Sequence, residues 1–264
     1  MWLRAGCNLT FQIEVPTPFI LMLRARSGSQ QWVAREEYKI LPGVPVQEFA
    51  DVYGNLCQRV LAEPGELSIH STADVRVAEY FDEAPGAEFI EIQNLPYDVL
   101  GYLLPSRYCE SDRFGEMATS ITMGAKPGYD QVAVIENWLK DNIKYTPGES
   151  TFQVSAVDVN QRQYGVCRDL AHLGIALCRS LSIPARMVVG YLYNLKPMDM
   201  HAWFEAYVGG RWYSFDAVHD GARGGYISVG YGRDAADVAL YNQFGPPVFP
   251  LNQEVWVEHL PDGI

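Results

Sequence analysis

Tyr164-Gly165-Val166-Cys167-Arg168-Asp169-Leu170-Ala171-His172-Leu173 is the stretch on which the fold of this chain turns. Leu170, Leu173, Gly174, Leu177, Cys178 and Leu181 recur at helical spacing. Ile183-Pro184 closes the pattern, because proline disfavours helical backbone in the residue before it. The spacing predicts a helix with one apolar stripe, opening at Cys167 just past a glycine. Three strand candidates follow: Arg186 to Tyr193, His201 to Val208 and Arg211 to Asp216. Gly209-Gly210 is a two-residue hairpin turn between the last two. A helix followed by antiparallel strands predicts an α+β unit.

Upstream, Val132, Ile135, Trp138, Leu139 and Ile143 predict a second amphipathic helix. From Pro105 to Gly128 the pattern breaks into Ser, Asp, Glu and Gly, as at a domain boundary. Before that, Asn8–Val15, Leu67–His70, Val75–Tyr80 and Glu88–Ile92 alternate polar and apolar residues, the period of half-buried strands. Pro42-Gly43, Pro64-Gly65 and Pro85-Gly86 punctuate them, and strands so spaced predict an antiparallel sandwich. A helix is placed over Ala50 to Leu61. The expected division is a β-sandwich domain over 1–105, a linker over 106–127 and an α+β domain over 128–264.

Composition narrows the function. The 264 residues carry 20 basic and 32 acidic side chains, a net charge of −12 that repels a phosphate backbone, so nucleic acid is not an expected partner. The apolar run Phe19–Leu23 is far short of the roughly 20 residues that span a bilayer, and the chain reads as soluble and cytoplasmic with no membrane partner. Five cysteines, Cys7, Cys57, Cys109, Cys167 and Cys178, are scattered without a C-x-x-C pair, which argues against a disulfide framework or a structural zinc site. A metal site using Cys167, Cys178, His172 and His201 fails on distance, since the two cysteines stand about 16 Å apart on one helix. No metal and no cofactor are expected.

Cys167 is the cysteine to examine for reactivity. At a helix start, exposed N–H groups and the macrodipole favour negative charge, so a thiolate is stabilised there; the alternative is a small buried hydrophobe. His172 lies five residues on, about 140° around the helix, and faces away. The hairpin sorts the others. A turn at Gly209-Gly210 sets Val208 opposite Arg211, and so Trp203 opposite Asp216. His201 and Asp216 then share a face on a diagonal of roughly 7–8 Å, bridgeable by imidazole and carboxylate. His219 falls on the opposite parity and is excluded if the strand runs that far. The resulting constellation is Cys167–His201–Asp216, with His201 taking the thiol proton and Asp216 orienting the ring.

Gly165 to Leu173, followed by Ile183-Pro184-Ala185-Arg186 and Gly190-Tyr191, resembles the transglutaminase-like superfamily. So do Met200 to Tyr207 and Trp212 to Asp216. Leu103–Tyr108, Ile143–Gly148 and Gly232–Val238 resemble its bacterial two-domain branch. The resemblance implies a papain-like core in which a helix-borne cysteine meets histidine and aspartate on neighbouring strands, and it carries Cys167, His201 and Asp216 onto that triad in chain order. It also implies an N-terminal β-sandwich and cysteine protease chemistry. Two departures stand out. Many relatives have proline after the aspartate, where this chain has Ala217-Val218-His219, and the animal cross-linking enzymes have glutamine before the nucleophile, where this chain has Val166. Those enzymes also use a tryptophan to help hold the oxyanion. Here the Cys167 backbone N–H is one expected oxyanion donor and the second is unassigned. Gln161 and Gln163 are candidates for it, though both read more simply as solvated loop residues.

The expected activity is hydrolysis of an amide or peptide bond through a thioester. Transfer of the acyl group to an amine shares every step up to the thioester, and a non-catalytic binding module on the same fold is the third reading. A D-x-D-x-D-G calcium loop is absent from the sequence, so calcium is not invoked. Trp203, with Tyr207, Trp212 and Tyr213, is a candidate wall of a substrate groove, against the commoner fate of strand aromatics in a core. Substrate identity, the role of the sandwich and the oligomeric state are left open.

Overall fold

Alternate residues of β1 (Trp2–Ile13), namely Leu3, Ala5, Cys7, Leu9, Phe11 and Ile13, are buried, the pattern of a strand with one face on a core. The computed structural model describes residues 1–80, 82–148, 153–219 and 224–261. β1 pairs antiparallel with β6 (Gly65–Val77) along its whole length, and β3 (Gln31–Leu41) takes the other edge of β6. A second sheet is built on β2 (Thr17–Leu21), β4 (Gln47–Ala50) and β5 (Leu56–Ala62). Phe19 of the second sheet packs against Phe11 of the first, ring centroids 5.4 Å apart. Two sheets with facing apolar surfaces form the antiparallel β-sandwich expected.

Four expectations change here. Ala50 to Leu61 is not a helix: the Asp51 carboxylate accepts the N–H groups of Tyr53 and Asn55, both at 2.8 Å, and this side-chain turn joins β4 to β5. Glu88–Ile92 forms no strand beyond a single bridge from Glu88 to Gly128. The segment docks instead by separate backbone bonds, Gly209 N–H to Glu88 O at 2.8 Å and Phe89 N–H to Pro127 O at 3.3 Å. The division at 128–264 also misplaces the end of the chain. β13 (Tyr241–Gln243) pairs with β2 and β14 (Pro250–His259) with β1, so each sandwich sheet gains its fourth strand from the C-terminal segment.

Nor is 106–127 a linker. Cys109, Phe114 and Ala118 are buried, and α1 (Gly115–Ile121) lies within it. The guanidinium of Arg179, itself buried, donates to Leu104 O and Ser106 Oγ at 3.0 Å each, to Ala185 O at 2.8 Å and to Arg233 O at 2.7 Å. One cation thus pins this segment to the α+β unit, whose helices are α2 (Tyr129–Asn142), α3 (Ala156–Arg162) and α4 (Cys167–Ser180). Its sheet has the order β11 (Arg211–Phe215), β10 (His201–Val208), β9 (Ala185–Leu192), β12 (Tyr226–Gly232), all antiparallel. The hairpin register is the expected one, Val208↔Arg211 through Phe204↔Phe215. Gly209 and Gly210 supply it with φ of 58° and 87°, the paired left-handed residues that a two-residue turn demands. No helix among the described residues is long and apolar enough to cross a membrane.

Candidate active site

The start of α4 is fixed by its neighbours in sequence. Val166 is extended, and its N–H is accepted at 3.2 Å by the Asp169 carboxylate one turn on. Asp169 is fully buried, and burial pushes its carboxyl up while Arg168, the Val166 N–H and Arg162 pull it back. Gly165 is required, since a Cβ there would sit 2.8 Å from Asp169 Cβ. Cys167 is therefore presented on the first helical residue, where backbone N–H groups have no intrahelical partner. It alone of the five cysteines is half-exposed; the other four are buried.

His201 begins β10 and is 1% exposed. Its Nε2 lies 2.7 Å from Oδ2 of Asp216, the residue just past the end of β11. Asp216 also accepts from the Tyr226 hydroxyl at 2.7 Å and from Val218 N–H at 2.9 Å. Since the carboxylate accepts, Nε2 carries the hydrogen. Among the described residues Nδ1 has no hydrogen-bond partner, and the imidazole interacts with the Cys167 thiol. Burial works against the imidazolium, but the Asp216 carboxylate and the Cys167 sulfur outweigh it and push His201 up to about 10. Burial likewise opposes the Asp216 carboxylate, yet His201, the Val218 N–H and the Tyr226 hydroxyl hold it below its ordinary value.

Cys167 and His201 share a cavity of about 680 Å³. Its wall is mostly apolar, with Met187, Val189, Leu195, Met198, Leu240 and Val248, and it includes Tyr145 and Gln153. Gln161 and Gln163 are exposed and are not among the wall residues, so neither is placed to donate to an oxyanion. Trp203 is not on this wall either. At 2% exposure it stacks behind the imidazole, centroids 6.0 Å apart, and borders a second cavity of about 950 Å³ with Arg186, Trp212 and Tyr226. It shapes the histidine's back, not the thiol's surroundings.

The other histidines separate. His172 faces away as expected: Nδ1 bonds Val154 O at 3.0 Å and Nε2 accepts Ala235 N–H at 3.1 Å. His219 differs from expectation. The strand ends at Phe215, parity ends with it, and the turn brings His219 back to 5.5 Å from the His201 ring. His201, Asp216 and His219 have donor atoms within 4.8 Å of one another. His201 Nε2 and Asp216 Oδ2 already hold one another at 2.7 Å, so the trio reads as a hydrogen-bonded pair with a third ring beside it.

Sequence reasoning missed two supports of Asp216. Tyr226 comes from β12, which pairs with β9 and not with the hairpin, and Glu136 comes from α2, accepting Asp216 N–H at 3.0 Å. The one sequence signal was the position of Glu136 on the polar side of a predicted helix, which does not distinguish it from a solvated residue.

Comparison with known proteins follows the same lines. The family model described as the transglutaminase-like superfamily matches residues 115–217, a span that holds Cys167, His201 and Asp216. A crystal structure of a candidate cysteine protease from Cytophaga hutchinsonii is 36% identical, with a TM-score of 0.89 over 98% of this chain and 90% of that one. An uncharacterized protein of Mycobacterium leprae is 28% identical over 233 residues, 82% of each chain.

Proposed function

The chain belongs to the transglutaminase-like superfamily, a class of thiol-dependent hydrolases and acyltransferases, and from that premise we propose that it is a cysteine hydrolase cutting amide or peptide bonds. The observation that carries this is the His201 imidazole, bonded to a buried carboxylate through Nε2 and offering Nδ1 to a half-exposed thiol in an open cavity.

With His201 raised to about 10, the imidazole holds a proton at neutral pH, the form that stabilises a thiolate beside it. The Cys167 sulfur attacks the carbonyl carbon, and the carbonyl electron pair moves onto oxygen. Collapse of that adduct breaks the C–N bond, and His201 Nδ1–H protonates the departing amine. Now neutral, the same nitrogen takes a proton from water as the water adds to the thioester. The second collapse returns the proton to the thiol–imidazole pair and releases a carboxylic acid. Asp216 keeps the ring oriented and the imidazolium stabilised throughout. The apolar wall favours an acyl group with an apolar side chain.

The test is a panel of peptide amides offered with a labelled primary amine. Expected is release of ammonia or amine with no label incorporated, and a drop of at least about 10³-fold on Cys167→Ala. Label incorporation moves the activity to acyl transfer; equal turnover by the variant removes Cys167 from the chemistry.

A further inference from the structure

A tetrahedral adduct on Cys167 needs a second donor for its oxygen, beside the N–H of Cys167 itself. The two-stranded parallel pair upstream supplies a placement. β7 (Lys144–Tyr145) runs beside β8 (Tyr164–Gly165), with Tyr145 opposite Gly165, two residues before the nucleophile. The register is pinned by Lys144 N–H to Gln163 O and Thr146 N–H to Gly165 O, both 2.9 Å. Partners across a ladder share a face. At Gly165 that face is filled by the first turn of α4, with Asp169 Cβ 2.8 Å from where a Cβ would stand. Tyr145 stands on the wall of the cavity that holds Cys167 and His201, close enough for Cys167 and Asp216 to act electrostatically on its phenol.

We propose that the Tyr145 hydroxyl is the second oxyanion donor, acting with the Cys167 N–H on the carbonyl oxygen of the substrate. This deepens the hydrolase reading and rests on it. Burial, with the Cys167 and Asp216 charges nearby, pushes the phenol up to about 12, so it stays protonated across the neutral range and serves as a donor and not as a base. A phenol also suits the timing, since an O–H bond to developing negative charge strengthens as that charge appears. Gln153 is the rival on the same wall, an exposed amide with no comparable anchoring.

Two reactions of the same thiol separate the roles. Alkylation by iodoacetamide forms an S–C bond and expels iodide, with no oxyanion. Acylation by a p-nitrophenyl ester passes through a tetrahedral oxyanion before p-nitrophenolate leaves. For Tyr145→Phe, acylation and amide turnover should fall about 100-fold or more, with KM within about threefold. Alkylation should stay within about twofold and the melting temperature should be unchanged. Gln153→Ala removes the rival donor from the wall and should not reproduce the selective loss of acylation over alkylation. Acylation unaffected by Tyr145→Phe overturns the inference alone, as does a joint fall of acylation and alkylation, or a 100-fold loss that follows Gln153→Ala instead. A wild-type enzyme that alkylates but never acylates at Cys167 overturns the hydrolase reading and takes this inference with it.

Discussion

His172 and His201 are equally withdrawn from solvent, at 0% and 1% exposure, yet they are held in opposite protonation states. His172 spends both nitrogens on backbone groups, Val154 O and Ala235 N–H, and stacks on Tyr108 with centroids 5.2 Å apart. With one nitrogen accepting a hydrogen bond, only the neutral ring fits, and burial pushes it down to about 4. His201 spends one nitrogen on a carboxylate and leaves the other toward a thiol, and its proton is retained to about 10. Depth of burial does not separate these two histidines. The identity of the partners does, and the proposed function assigns the chemistry to the ring with one uncommitted nitrogen.

The most severe way to break that contrast is to remove the carboxylate. Asp216→Asn should lower kcat by about 10³-fold or more, because the amide neither fixes the Nε2–H tautomer nor balances the imidazolium. The pH profile gives the sharper reading. In the wild type the imidazolium needed for the leaving amine is lost as pH rises through about 10, setting the alkaline limb. Stability has the same sign: His201 is raised in the folded state, so its contribution is full below 6.5 and lost as pH climbs through about 10. In Asp216→Asn burial is opposed by the Cys167 sulfur without the carboxylate, and the limb should move well below 10. An alkaline limb that stays near 10 in this variant would take the carboxylate out of the account.

His172 tests the other half. Its folded value is depressed, so its contribution is present above 6.5 and lost as pH falls through about 4. His172→Phe keeps the ring against Tyr108 but leaves Val154 O and Ala235 N–H without their partner. About 2–6 kcal/mol of stability should go at neutral pH, at roughly 1–3 kcal/mol for each of the two unsatisfied groups. Denaturant titrations should also show a flatter pH dependence between 6.5 and 4. The alkaline limb of activity should not move.

These two histidines also mark how far the sequence could be read. The helix opening at Cys167 and the Val208↔Arg211 register are local facts, set by a glycine before the helix and a two-residue turn, and the His201–Asp216 diagonal follows from parity within that hairpin. Parity stops being a guide where pairing stops, which is why His219 returns to the His201 ring after β11 ends at Phe215. Tyr145, Tyr226 and Glu136 reach the site from β7, β12 and α2, elements whose positions depend on packing across distant parts of the chain. The sandwich shows the same limit. Its alternating strands were legible one by one, but no short-range pattern says that β14 lies beside β1, with Leu3 opposite His259.

Glu136 is the smallest perturbation that still discriminates. It accepts Asp216 N–H at 3.0 Å and pairs with Lys140 at 3.2 Å, and burial raises its carboxyl against that pairing. It touches the backbone of Asp216 through this bond, while the carboxylate of Asp216 is held by His201, Tyr226 and Val218. Glu136→Gln keeps an oxygen acceptor for that N–H, so activity should stay within about threefold of wild type. Glu136→Ala strands a buried N–H and should cost about 1–3 kcal/mol of stability, read by denaturant unfolding. In both variants the alkaline limb should hold near 10, because the charge facing the imidazole is untouched. A limb that shifts in Glu136→Gln would mean that charge on α2 reaches His201 directly, and the contrast between the two histidines would then depend on the field of the whole site and not on their bonded partners alone.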